Sequence, residues 1–138
     1  MRIGIVGDLH IAPPPKKRID DYFQVGLNKI TEIAKNCTHV IFLGDIFTSP
    51  KVDEKYTYDL IEHLYNLRCL YNTQFYTIIG NHDVQGEEES NLRDSSLGLI
   101  AVSRTMQIIT PENPLILQDD KFYTFYTIPV KYKNAHKG

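Results

Sequence analysis

Three short apolar runs, each followed by a glycine and then a polar residue, constrain the fold of this 138-residue chain most strongly. The runs cover residues 3–6, 40–43 and 75–79, and they are rich in β-branched and aromatic side chains. Runs that are apolar at nearly every position are typical of strands covered on both faces, as in a parallel sheet. The sequence therefore predicts three buried strands.

Amphipathic segments separate the three runs and predict helices over residues 20–35 and 53–70. Asp20 or Asp21 is placed to cap the first helix, and Asp53 is placed to cap the second. The order strand, helix, strand, helix, strand predicts right-handed crossovers and a parallel sheet. The apolar faces comprise Phe23, Leu27, Ile30, Ile33 and Ala34 in the first helix, and Leu60, Ile61, Leu64 and Leu67 in the second.

The second half of the chain has a different pattern. Residues 85–96 are polar and acidic and predict an exposed loop, and residues 97–103 predict a short helix. A strand is expected over 106–110, and a hairpin over 115–118 and 122–128. The predicted fold class is therefore α/β: one domain with a mostly parallel sheet that has helices on both faces, plus part of a second sheet.

Composition excludes several classes of protein. The formal net charge is −2, which gives no global electrostatic reason to bind nucleic acid or membranes. No apolar run approaches the roughly 20 residues of a membrane span, and no targeting segment is present, so a cytoplasmic location is expected. Cys37 and Cys69 lie far apart and predict reduced thiols rather than a metal knuckle or a disulfide.

Metal-binding residue types follow each of the three apolar runs. The first members of the clusters, Asp8, Asp45 and Asn81, are spaced at nearly equal intervals, each long enough for one strand and one crossover helix. Because the carboxyl ends of neighbouring parallel strands lie along one edge of a sheet, we expect the clusters to converge there. The candidate residues are Asp8, His10, Asp45, Asn81, His82 and Asp83.

Carboxylate, imidazole and amide donors without a thiolate suit hard or borderline ions such as Mn²⁺, Mg²⁺, Fe²⁺ or Zn²⁺. Asp45, in the middle cluster, is the natural bridge between two cations, which together would activate water at a phosphoryl centre. Gly7, Gly44 and Gly80 are expected to let the backbone turn sharply and to leave room for ion and phosphate. Turn and cap roles are the alternative for each polar residue taken singly.

These clusters carry a family resemblance. Asp8-x-His10, Gly44-Asp45 and Gly80-Asn81-His82-Asp83 resemble the first three motifs of the calcineurin-like metallophosphoesterases. Gly44-Asp45-Ile46-Phe47 and the segment at 78–83 are most similar to the nuclease branch that acts in DNA double-strand-break repair and recombination, including its phage members. The resemblance covers residues 1–83 by motif and extends to the strand that ends at residues 127–129.

The resemblance implies a role for each motif residue. Asp8 and His10 would bind the first metal ion, Asp45 would bridge, and Asn81 would bind the second ion through its amide oxygen. His82 would contact the scissile phosphate and assist the leaving oxygen. Asp83 would orient that imidazole.

The implied function is a divalent-metal-dependent phosphodiesterase, a DNA nuclease of the exonuclease-subunit type. Two divalent ions are implied as cofactors, with Mn²⁺ favoured and Mg²⁺, Fe²⁺ or Zn²⁺ compatible with the donors. The family usually works with an ATPase partner and often as a homodimer, and no membrane association is implied.

The sequence departs from the family pattern at two places. Thr48 stands where the nuclease branch usually has aspartate, and the family's downstream histidines, including a Gly-His-x-His motif, are not found. His136 is a weak match to one of them. The chain thus resembles the N-terminal half of the domain. The alternatives are therefore a catalytically incomplete fragment or interaction module with the same fold, or a phosphatase for a small phosphoester.

Other polar residues have ordinary structural explanations. His39 opens a predicted strand, and His63 lies among leucines on a predicted helix, so neither is expected to bind metal. The basic residues Lys16, Lys17 and Arg18 follow the first cluster, where they would either track a DNA backbone or form a solvated loop.

Overall fold

A parallel sheet of four strands forms the centre of the fold. The computed structural model of the chain describes residues 1–7, 9, 22–47, 52–80 and 95–127. Strands β1 (Ile3–Val6), β2 (His39–Phe42), β3 (Gln74–Thr77) and β4 (Gln107–Ile108) are hydrogen-bonded in that order. Strand order therefore follows chain order, and β1 and β4 form the edges of the described sheet.

The first three strands are paired so that their carboxyl ends are level. Val6 is opposite Phe42, and Phe42 is opposite Thr77. The ladder continues one residue further, because the amide of Leu43 donates to Val6 O (2.8 Å) and the amide of Ile78 donates to Phe42 O (3.1 Å). The turns that follow the strands thus begin at one edge of the sheet.

Three helices connect the described strands: α1 (Tyr22–Asn36), α2 (Glu54–Tyr71) and α3 (Ser96–Val102). Asp53 caps α2 by accepting a hydrogen bond from the amide of Lys55 at 3.1 Å, as the sequence predicts. The helix ends at Asn72, whose backbone is left-handed (φ 56°). The predicted caps of α1, Asp20 and Asp21, lie outside the described residues.

The largest core cluster lies between the helices and one face of the sheet. Val40, Phe42 and Phe75 point to this face, where they pack with the apolar stripes of the helices. The helical members of the cluster are Phe23, Leu27, Ile30, Ala34, Leu60, Leu64, Leu67, Leu97 and Ile100. The amphipathic patterns of α1 and α2 therefore identified the buried side chains correctly.

The opposite face of the sheet contacts an antiparallel pair, β5 (Leu115–Gln118) and β6 (Phe122–Phe125). Ile41 and Tyr76 pack there in a second cluster with Ile109, Leu115 and Leu117. The pair covers the sheet only in part, because Ile5 of β1 remains 54% exposed.

The predicted fold class is confirmed as α/β with a parallel sheet flanked by helices and a small second sheet. One detail differs, because the described helices all contribute to one core cluster rather than covering both faces. Right-handed crossovers place their helices on the same face when strand order simply follows chain order. Strand order is not readable from periodicity, and so the sequence predicted helices on both faces instead.

Two element boundaries in the second half differ from the prediction. The strand expected over 106–110 is shortened to β4, because Thr110 and Asn113 form an isolated bridge that turns the chain. Ser95 and Ser96 are buried, although the exposed loop was expected to reach residue 96. The reason is that Ser95 caps α3 and Ser96 Oγ accepts from the buried amide of Val52 at 2.9 Å.

The histidines expected to be structural have protein partners. His63 Nε2 lies 2.9 Å from Thr31 Oγ1 and 3.0 Å from the carbonyl oxygen of Leu27, which ties α2 to α1. His39 Nδ1 lies 2.9 Å from Thr38 Oγ1, and its ring stacks on Tyr76. Both cysteines are free thiols. None of the helices that the structure describes is long and apolar enough to cross a membrane.

Truncating a core leucine of α2 should destabilise the protein strongly. Leu64 is fully buried and Leu70, on the same helix, is 72% exposed. We expect Leu64→Ala to lower the free energy of unfolding by about 2–5 kcal/mol, since it removes buried methyl groups and leaves a cavity. Leu70→Ala, measured in the same urea titration, should change it by less than about 0.5 kcal/mol. Equal losses would contradict the assigned packing of α2.

Stability should also depend on pH through His39. Burial, and secondarily the nearby Met1 ammonium group, lowers the pKa of His39 below its ordinary value of 6.5. The unfolded chain then binds this proton more readily, so the free energy of unfolding falls as pH decreases through about 6.5. Urea unfolding at about pH 8 and about pH 5 should show a smaller loss for His39→Gln than for the wild type. An identical loss in both proteins would exclude this role of His39.

Candidate metal centre at the strand ends

The turn after β2 holds Asp45 in an unusual backbone conformation. Gly44 has φ 88° and Asp45 has φ 50°, so two successive residues are left-handed. Glycine adopts this region freely, whereas aspartate is among the few other residues that tolerate it. Ile46 and Phe47, each 1% exposed, then anchor the chain in the core. The backbone of the half-buried Asp45 is therefore held between the turn at Gly44 and the buried side chains of Ile46 and Phe47.

The turn after β3 packs directly against this aspartate. A Cβ atom built on Gly80 would lie 2.7 Å from Asp45 Cγ, and closer still to Asp45 Oδ1 and to its backbone nitrogen. A Cβ atom built on Gly44 would lie 2.8 Å from Gly80 N and 2.9 Å from Gly80 Cα. Carbon atoms do not approach this closely in proteins, so both positions require glycine.

The three glycines have different roles, although the sequence treats them alike. Among these three, only Gly44 has a positive φ angle, so the left-handed backbone that glycine permits is used there. The space beside Gly80, expected for ion and phosphate, contains the Asp45 carboxylate. Among the described residues, a Cβ atom on Gly7 would meet Leu43 Cδ1 at 3.6 Å, an ordinary contact.

Of the six predicted site residues, Asp45 is the one that the structure describes. The other five, namely Asp8, His10, Asn81, His82 and Asp83, lie outside the described residues, as do Thr48, His136 and the basic Lys16, Lys17 and Arg18. Their chain neighbours Gly7, Leu9 and Gly80 are described and follow the level ends of β1 and β3. The strand ends from which all three clusters depart therefore lie along one edge of the sheet.

Asp45 is suited to hold a divalent ion. Its carboxylate supplies the oxygen donors that hard cations prefer, and the missing Cβ of Gly80 gives that carboxylate its place. Among the residues that the structure describes, no three histidine, cysteine, aspartate or glutamate side chains come together. A complete site thus needs donors from the adjoining clusters in addition to Asp45.

A groove of about 510 Å³ runs beside the same end of β1, between that strand and α1. Among the described residues its lining is mainly apolar, and Asp45 does not belong to it. The lining residues are Val6, Gly7, Leu9, Val25, Asn28, Lys29, Glu32 and Ile33.

The contribution of Gly80 to the shape of the site was not evident from the sequence. The sequence feature that could have indicated this role is a pair of glycines, Gly44 and Gly80. Each directly precedes a polar residue, and the two lie after neighbouring strands. That pattern indicates a close approach of two turns, but it does not tell which glycine needs a positive φ and which needs the space.

Comparison with known proteins agrees with the geometry. The family described as calcineurin-like phosphoesterase matches residues 1–138, which is the whole sequence. No curated protein matches the chain. The matched range includes all three strand ends and every predicted site residue. The chain belongs to the calcineurin-like phosphoesterase family.

Proposed function

We propose that this chain is a divalent-metal-dependent phosphodiesterase that cleaves DNA, a nuclease of the exonuclease-subunit type. Family membership indicates metal-dependent hydrolysis of a phosphoester. The choice of DNA rests on the motif residues, since the segments at 44–47 and 78–83 are most similar to the repair and recombination nucleases. A small phosphoester is the alternative substrate for the same chemistry.

The observation that carries this proposal is the alignment of the three strand ends around Asp45. Val6, Phe42 and Thr77 are level in the sheet, and a cluster of potential ligands follows each strand within a few residues. Asp45 follows β2, the central strand of these three, and packs against the turn that leads to the third cluster. That position supports its role as the bridging ligand.

In the proposed mechanism, two divalent ions would be held by Asp8, His10, Asp45 and Asn81. When bound, such a pair of ions, Mn²⁺ by the resemblance, supplies an activated water and stabilises charge on the phosphoryl oxygens. Asp45 brings negative charge to the middle of the site, where both cations need it. Asn81 contributes a neutral amide oxygen.

His82 acts on the leaving group in this proposal. Its imidazolium donates a proton, or a hydrogen bond, to the oxygen that departs from phosphorus. Asp83 accepts from the other ring nitrogen and thereby fixes the orientation of the imidazole. By the same resemblance we propose an ATPase subunit and a second copy of the chain as partners.

Asp45→Asn should abolish metal-dependent DNA hydrolysis. The substitution keeps the size of the side chain but removes its negative charge and one donor oxygen. Loss of a residue that supports a metal ligand typically lowers metal affinity or activity about 10- to 100-fold. Loss of the bridging ligand itself should therefore lower the rate of Mn²⁺-dependent cleavage of linear DNA by at least about 100-fold. Asp59→Asn, on helix α2, is the matched control and should retain activity.

The outcomes of this assay separate the alternatives. Cleavage that survives Asp45→Asn would show that another site or a contaminant is responsible. A wild-type protein that leaves DNA intact but hydrolyses a phosphomonoester or a cyclic nucleotide in a substrate panel would identify a phosphatase. Hydrolysis of no substrate, with Mn²⁺ present, would indicate an interaction module that retains the fold.

A further inference from the structure

We propose that Gly80 is a positioning residue for Asp45: the side chain that position 80 lacks leaves the Asp45 carboxylate its place. The consequence for metal binding rests on the proposed function. The structural part depends only on the contact between two turns, which the described residues show.

The contact at Gly80 is specific to one residue. The three atoms nearest to a Cβ on Gly80 are Oδ1, Cγ and the backbone nitrogen of Asp45. Two of the three are side-chain atoms, and Cγ would be 2.7 Å away. A methyl group at position 80 would therefore meet the carboxylate and the backbone nitrogen of Asp45 together.

Asp45 has little freedom to yield by moving its backbone. Its φ angle of 50° is already in a region that few residues other than glycine occupy. Gly44 packs against the backbone of Gly80 on one side, while Ile46 and Phe47 are buried on the other. Because the Asp45 backbone nitrogen would be contacted as closely as the carboxylate, a methyl group at position 80 would strain this turn and also displace the carboxylate.

Orientation matters for a bridging carboxylate, since its oxygen donors would have to be directed at both cations. Groups that orient metal ligands typically contribute about 10- to 100-fold to metal affinity. Gly80 itself has no side chain to touch a metal ion or a phosphate. We therefore assign it a positioning role through Asp45 and no catalytic role.

A double-mutant cycle in metal-free protein tests the structural part. Urea unfolding in EDTA is measured for the wild type, Gly80→Ala, Asp45→Ala and the double variant. Gly80→Ala should lower the urea midpoint more in the wild type than in Asp45→Ala. The Asp45→Ala background lacks Oδ1 and Cγ, two of the three atoms nearest to the added methyl group. Equal shifts in the two backgrounds would overturn the proposal.

The cycle remains decisive if Gly80→Ala is too unstable to fold. A folded double variant would then support the proposal, since removing the Asp45 side chain would have relieved the clash. If the double variant is also unfolded while Asp45→Ala folds, the proposal fails. Gly7→Ala is the matched control and should shift the midpoint little, because the contact shown for its Cβ within the described part of the chain is an ordinary one at 3.6 Å.

Calorimetry with Mn²⁺ tests the consequence for binding. Folded Gly80→Ala should bind Mn²⁺ about 10- to 100-fold more weakly than the wild type, while in the Asp45→Ala background the same change should have no further effect. Unchanged affinity in folded Gly80→Ala would refute the positioning role. A wild type that binds no Mn²⁺ would contradict the proposed function instead, and the metal-free cycle would still decide the packing claim.

Discussion

Parallel hydrogen bonding of β1, β2 and β3 in level register is the constraint on which the candidate site depends. Because Val6, Phe42 and Thr77 are aligned, the chain leaves three strands at one edge and at one height. The two helices that return the chain, α1 and α2, bury Leu27, Leu60, Leu64 and Leu67 in the core cluster on one face of the sheet. The stability of the core and the geometry of the site are thus products of the same pairing.

Packing between the turn at Gly44–Asp45 and the turn at Gly80 adds a second level of precision. Parallel strands lie about 4.8 Å apart, which leaves little space for side chains where two turns meet. Each turn has a glycine at this contact, and the Asp45 carboxylate occupies the space beside Gly80. A charged residue is held half-buried in a left-handed conformation that depends on these neighbours. Local strain of this kind often accompanies functional sites.

The sequence predicted the parallel sheet and its helices because their signals are local. Apolar runs marked the strands, and Asp53 marked the start of α2. The sequence did not predict that α1–α3 share one core cluster, since this follows from strand order. It also did not predict that Thr110 pairs with Asn113 and thereby shortens β4. At the site, residue types indicated Asp45 as a ligand. The contact between Gly80 and Asp45 could not be predicted, because it depends on the distance between two turns that are remote in sequence.

Whether Asp45 belongs to a metal centre is tested most directly by a crystal structure of the chain grown with Mn²⁺. The data would be collected for anomalous scattering. A two-metal centre at Asp45 would give two anomalous peaks about 3.5–4 Å apart at the ends of β1, β2 and β3, beside the Asp45 carboxylate. Peaks elsewhere on the molecule, or none beside the Asp45 carboxylate, would contradict it.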